Sequence, residues 1–151
     1  MIYADTNFYT NLLLDLPDSH EARRLMPEAT DILPVTWLLR LEIVNAFQRC
    51  VYLSRHGAQT LRVSPELASA VTAHFFEQID LGIRFRRCPV SEQQVERIFM
   101  DLSHRHTARE GFRTYDIPHV ASALVLECDT FWSFDAKAKK LARLEGPVPY
   151  T

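Results

Sequence analysis

The sequence predicts an α/β fold in which a mainly parallel sheet is covered by helices on both faces. Three observations predict it. Short apolar runs alternate along the chain with longer stretches of helical period, those stretches open on cap-forming residues, and no Gly/Ser linker or internal repeat divides the chain. Strands that alternate with helices indicate crossover connections and hence a parallel sheet.

The elements follow in order. Ile2 to Ala4 is a short apolar run suited to a buried strand. Asp5, Thr6 and Asn7 then offer caps for a helix from Phe8 to Leu14. Pro17-Asp18-Ser19 is a turn that opens a second helix over Glu21 to Met26, and Asp31 to Val35 reads as the second strand. Thr36 caps a long helix through Arg55 that stops at Gly57. Ser64-Pro65 starts another, running to Ile79, with Pro at the first helical position. Arg84 to Pro89 is a third strand. Ser91 caps a helix whose Val95, Ile98, Phe99 and Leu102 share one face, and Gly111 breaks the chain. A further helix carries Ile117, Val120, Ala121 and Leu124. Thr130 to Phe134 is an aromatic strand, Ala136 to Leu144 a short helix, and Val148 to Tyr150 an edge strand.

The 151 residues suit one domain over 1–151, long enough to bury a core without disulfides or a structural metal. A composition of 47% hydrophobic and 24% charged residues is that of a globular chain. The net charge of −2 argues against a simple nucleic-acid-coating role, so any polyanion would need a local basic surface or a metal. Cys50, Cys88 and Cys128 are scattered and odd in number, which fits a reducing cytoplasm and three small buried hydrophobes. The opening Met1 to Asp5 lacks a basic segment and reaches an acid at once, so no signal peptide is expected, and no apolar run approaches a membrane span.

In parallel sheets, sites form beyond the carboxyl ends of the strands, which singles out acids placed there. Asp5 ends the first strand and Asp135 ends the Phe131 to Phe134 strand. Asp116 precedes a helix whose first turn holds Pro118. Glu42 lies in the apolar stretch Leu38 to Val44, where it is either on a narrow solvated stripe with Asn45 or aimed at a cation. Each Asp alone also reads as a helix cap. Four carboxylates gathered together repel unless a cation holds them, and oxygen-only ligands favour Mg²⁺ or Mn²⁺ over zinc. Such an ion activates water and polarises a phosphodiester, so the set predicts metal-assisted phosphodiester hydrolysis.

The ordered segments Met1-Ile2-Tyr3-Ala4-Asp5-Thr6-Asn7, Leu41-Glu42-Ile43-Val44-Asn45-Ala46, Tyr115 to Ala123 and Asp129 to Asp135 resemble the PIN domain. More narrowly, they resemble the VapC-type toxin ribonucleases of bacterial toxin–antitoxin pairs. The resemblance implies a three-layer α/β/α sandwich. It also implies an endoribonuclease with Asp5 and Asp116 as metal ligands and Glu42 and Asp135 completing the acidic pocket, directly or through water. It implies supporting roles for Thr6, Asn7 and Ser133, the last a hydroxyl where the family often has Thr. A homodimer and a cognate antitoxin are implied as partners. The stretch from Ala58 to Gly82 is longer than in the shortest members, which leaves substrate choice and dimer geometry open.

Arg113, Lys137 and Lys140 stand near the acids in sequence and are candidates for RNA phosphates, though charged runs also serve as solvated faces. Trp37 and Trp132 could stack bases or pack in the core. Other chemistries fit less well. His104 and His106 are two apart and point different ways on a helix, unlike a zinc pair at i, i+4. Cys128 has no evident positioned His to make it a nucleophile. Asn7 stands where a haloacid-dehalogenase-like loop needs a second Asp, and no P-loop is present. The rival from another class is a PIN-like module that binds RNA or a protein without cutting. A pure binder has no reason to keep mutually repelling acids.

Overall fold

The structure, a computed structural model, describes residues 1–28, 32–57 and 62–149. Its strands are β1 (Ile2–Ala4), β2 (Leu33–Val35), β3 (Phe85–Arg87), β4 (Thr130–Trp132) and β5 (Val148–Pro149). The helices are α1 (Thr6–Leu13), α2 (Ser19–Leu25), α3 (Trp37–Arg55), α4 (Pro65–Leu81), α5 (Glu92–Leu102), α6 (Ala108–Glu110), α7 (Ile117–Val125) and α8 (Ala136–Glu145). A π-helical turn, Ser103–Thr107, joins α5 to α6.

The caps act where the sequence places them. Asp5 Oδ1 accepts the Phe8 N–H at 2.9 Å, and the Thr36, Ser64 and Ser91 hydroxyl oxygens accept the N–H three residues on in α3, α4 and α5. Asp135 Oδ1 accepts from Lys137 and Ala138 at 2.7 and 3.1 Å and opens α8. Gly111 takes φ 66°, a left-handed conformation that a Cβ would strain, and this ends α6.

Two readings change. The aromatic strand stops at Trp132, not Phe134, because the Ser133 hydroxyl accepts the Asp135 N–H at 2.9 Å and turns the chain into α8. Asp135 is therefore a helix cap three residues past β4, not the end of the strand. Cys88 is half-buried, whereas Cys50 and Cys128 are buried. Asp31, the first residue of the expected second strand, Tyr150 of the last, and 58–61 of the long segment lie outside the described residues.

All described strand pairings are parallel. β4 lies between β1 and β5, and β2 pairs with β3. β1 and β2 pack side by side, so the strands run β5-β4-β1, β2-β3 across the molecule. Alternation along β1 and β4 sends neighbouring side chains to opposite faces. Ala4 and Trp132 join a core with Phe8, Tyr9, Leu39, Phe47 and Phe75 from α1, α3 and α4. Tyr3 and Phe131 join a second core with Leu102, Ile117, Val120 and Leu141 from α5, α7 and α8. Helices on both faces of a parallel sheet make the α/β/α sandwich. Truncating a fully buried ring such as Phe8, packed at 5.1 Å from the Trp132 ring, costs about 3–5 kcal/mol. Among the described residues no helix is long and apolar enough to cross a membrane.

Candidate active site

The carboxyl ends of β1, β2 and β4 share one edge of the molecule, and the local chain dictates what each delivers there. Ala4 pairs with Trp132, so Asp5 and Ser133 emerge side by side. β2 ends at Val35, and Thr36 starts α3, whose second turn carries Glu42. Asp116 arrives from the other side as the last residue of a 3₁₀ turn, Thr114–Asp116, directly before α7. The four acids line one cleft of about 160 Å³, together with Thr6, Asn7, Arg113, Tyr115 and His119.

Each acid has a different surrounding. Asp5 is buried, and burial pushes its pKa up despite the nearby His119, the Ser133 hydroxyl and the Phe8 N–H. Asp135 adds to that rise by repulsion. Glu42 is pushed up by burial too, but hydrogen bonding and charge from His119 and the Thr6 hydroxyl outweigh this and hold it below its usual range. Thr6 donates to Glu42 Oε2 at 2.7 Å, and His119 Nε2 reaches the same oxygen at 2.5 Å. Asp116 Oδ2 accepts the Arg113 backbone N–H at 2.7 Å and its Nε–H at 3.3 Å, while Oδ1 accepts from Nη2 at 2.9 Å. The same Nη2 lies 3.4 Å from Asp135 Oδ2. The side chain of Asp116 therefore clamps Arg113; it makes no cap bond to α7.

His119 is the residue that sequence reasoning missed. Its Nδ1 shares a 2.9 Å hydrogen bond with the hydroxyl of fully buried Tyr3, whose pKa burial raises, so the phenol stays neutral. An ionised carboxylate only accepts, so Nε2 carries the proton toward Glu42. The chain Tyr3–His119–Glu42 thus fixes the orientation of the carboxylate from inside the core. The available signal was a polar ring on the apolar face of α7, one turn past Asp116, combined with an acid in an apolar stretch that needs a counter-charge.

The other candidates are placed as follows. Ser133 is buried beside Asp5, and Asn7 Oδ1 accepts the Phe134 N–H at 3.3 Å, tying α1 to the loop before α8. Lys137 Nζ donates to the Glu110 and Gly111 carbonyls at 2.7 and 3.3 Å, and Lys140 pairs with the Glu110 carboxylate. Both lysines hold α8 against the α6 end and stand outside the cleft lining, unlike Arg113. Trp132 is core, and Trp37 lines a separate groove with Leu41 and Val44. The aromatic at the cleft is Tyr115, with 78% of its surface exposed. Burial pushes the Cys128 thiol up to about 12, which removes it as a nucleophile.

The donor set suits a hard divalent cation: four carboxylates, with a buried Asp5 whose nearby positive charge falls short of its desolvation. As the side chains stand, no three His, Cys, Asp or Glu groups converge on one point among the described residues. Arg113 instead bridges Asp116 and Asp135.

No family model and no curated protein matches the sequence. Solved structures match over nearly the whole chain, among them these two. VapC20 from Mycobacterium tuberculosis, a toxin that cleaves the sarcin–ricin loop, has a TM-score of 0.67 at 17% identity, covering 95% of each chain. FitAcB from Neisseria gonorrhoeae has a TM-score of 0.64 at 16% identity, covering 100% of this chain and 97% of that one. Identities this low establish architecture, and with the sheet order and helical layers above they give this chain the fold of a VapC-like PIN domain.

Proposed function

We propose that this protein is a Mg²⁺-dependent endoribonuclease that hydrolyses RNA phosphodiester bonds, the toxin of a toxin–antitoxin pair. The observation that carries the reading is the convergence of Asp5, Glu42, Asp116 and Asp135, from four distant segments, on one cleft at the carboxyl edge of a parallel sheet. Asp5 and Asp116 would be the principal ligands of Mg²⁺ or Mn²⁺, with Glu42 and Asp135 completing the pocket. When bound, the ion supplies charge neutralisation at the phosphate and activation of water.

The chain's own groups do the rest. Glu42, held by His119 and Thr6, presents a fixed, ionised carboxylate that can orient a water by accepting its hydrogen bond. Ser133 and the Phe8 N–H fix Asp5, so its carboxylate does not swing when substrate enters. Tyr115 offers an exposed ring at the cleft on which an unpaired base can stack, which favours single-stranded or looped RNA.

A second reading is favoured by one observation. Arg113 and His119 already hold hydrogen bonds to three of the acids, so repulsion alone does not argue for a metal, and a non-catalytic module binding RNA or a protein partner would tolerate the same pocket. Digestion of RNA by the purified protein with Mg²⁺ against EDTA separates the two. EDTA-sensitive cleavage that Asp5→Asn abolishes supports the nuclease; intact RNA under both conditions refutes it. The same proposal includes a cognate antitoxin protein, a homodimer and a cytoplasmic location. Growth arrest on expression alone, relieved by the protein encoded next to it, tests the toxin role.

A further inference from the structure

We propose that Arg113 is a detachable internal counter-ion: it competes with the divalent cation for Asp116 and Asp135, and loading of the cleft releases its guanidinium toward RNA phosphates. This rests on the nuclease reading above and concerns one residue of that site.

The bonding pattern assigns the role. A single nitrogen, Nη2, bridges Asp116 Oδ1 at 2.9 Å and Asp135 Oδ2 at 3.4 Å, so it marks a position where both acids call for positive charge. The other oxygens of these acids each have a backbone anchor, although Asp116 Oδ2 also takes the guanidinium Nε–H at 3.3 Å. Asp116 Oδ2 accepts the Arg113 backbone N–H at 2.7 Å, and Asp135 Oδ1 accepts two backbone N–H groups of α8. If the guanidinium leaves, each carboxylate keeps its backbone anchor; Asp116 Oδ2 loses only its longer Nε–H contact, and the oxygens left with no partner are the two that faced Nη2.

Exposure permits the exchange. The Arg113 side chain is 67% exposed while Asp116 is only 4% exposed, so the cation can swing into solvent and the anion cannot follow. The desolvated acid then needs a replacement cation. A freed guanidinium at the mouth of the cleft has the fork geometry that suits a phosphate. Lys137 and Lys140 are poor substitutes, because both are engaged with the Glu110–Gly111 segment.

The test is Mn²⁺ binding to the full chain, read by titration calorimetry or electron paramagnetic resonance without RNA. Arg113→Ala should bind Mn²⁺ about fivefold to tenfold tighter than the native protein, the scale of a partly exposed charged hydrogen-bond pair. Arg113→Lys should fall between, because an ammonium still competes but cannot fork. Should the variants misfold, the native protein supplies a second readout. The Arg113 Nε–H resonance should move toward a solvent-exposed position as Mg²⁺ is added. Unchanged or weaker Mn²⁺ binding by folded variants, or an Nε–H signal that Mg²⁺ leaves in place, overturns the proposal while the nuclease reading stands. Absence of Mn²⁺ binding in native and variant proteins alike overturns both.

Discussion

The two sides of the cleft hold their acids in opposite ways. On one side Arg113, largely in solvent, reaches over buried Asp116 and the half-exposed Asp135. On the other side His119, 5% exposed, backs a Glu42 that is 21% exposed, and Tyr3 pins the far nitrogen of the ring. An exposed partner is replaceable, since water and ions take its place at little loss. A buried one is part of the core, since removing it strands polar groups on both sides. The comparison teaches that partners hydrogen-bonded to acids in one pocket serve as a removable plug or as scaffolding, according to which partner is buried.

The largest expected effect falls on the acids themselves. Asp5→Asn and Asp116→Asn should each lower RNA cleavage by more than the roughly 10–100-fold typical of groups that only support a metal ligand. Their stabilities should diverge. Asp5→Asn keeps the oxygen that caps α1 and removes a desolvated charge, so it should raise Tm in EDTA. Asp116→Asn removes the Arg113 partner, so it should not. Single-turnover assays with Mg²⁺ and thermal melts in EDTA check both halves. Equal Tm shifts for the two variants would erase the distinction between a compensated and an uncompensated acid.

Breaking the scaffolding side should cost both stability and rate. His119→Ala leaves the Tyr3 hydroxyl and Glu42 short of a partner, a loss of about 1–3 kcal/mol by denaturant unfolding. Cleavage should fall about 10–100-fold through kcat, because the misplaced group is a neighbour of the pocket acids. His119→Gln, whose amide nitrogen can reach toward Glu42, should recover part of kcat. If Ala and Gln behave alike in kcat, His119 fills space and does not position Glu42. Smaller again is Tyr115→Ala, which should weaken RNA binding by about 1–3 kcal/mol, the value of one stacked base, with kcat little changed. A filter-binding assay in Ca²⁺ or EDTA reads it, and unaltered affinity removes the stacking role.

The alternation of strands and helices and the caps at Asp5, Thr36, Ser64 and Ser91 were legible in the sequence because they rest on local patterning, and Asp5 because a parallel strand ends there; the gathering of Glu42 and Asp116 with it was legible only through the order of the four segments that resemble the PIN domain. The end of β4 was not. Aromatic residues continue through Phe134, and only the hydroxyl of Ser133 turning back on the Asp135 N–H shows where the strand gives way. Arg113 could be placed near Asp116 from a spacing of three, but its reach to Asp135 spans 22 positions and depends on how α7 and α8 pack. Lys137 and Lys140 read as phosphate contacts because they follow Asp135, yet the loop ending at Gly111 folds over them. His119 was hidden inside an apolar stripe, where periodicity sees a core position and not the proton it carries.

The smallest effect discriminates the acids by pH. Asp5 has a folded-state pKa raised above its unfolded value, so the native state binds the extra proton in the window between them. Its contribution is favourable in acid and is lost as pH rises through the folded value. Glu42 is lowered, so its contribution is present above the unfolded value and lost as pH falls through the folded one. In EDTA, Asp5→Asn should therefore raise Tm most near neutrality, with the gain shrinking on acidification as the native carboxyl takes up its proton above the ordinary aspartate range. Glu42→Gln should do the reverse: lower Tm near neutrality, with the loss shrinking on acidification. Parallel Tm curves for native protein and both variants from pH 4 to 8 would mean that these carboxylates feel the same surroundings, and the two sides of the cleft would then differ in shape alone.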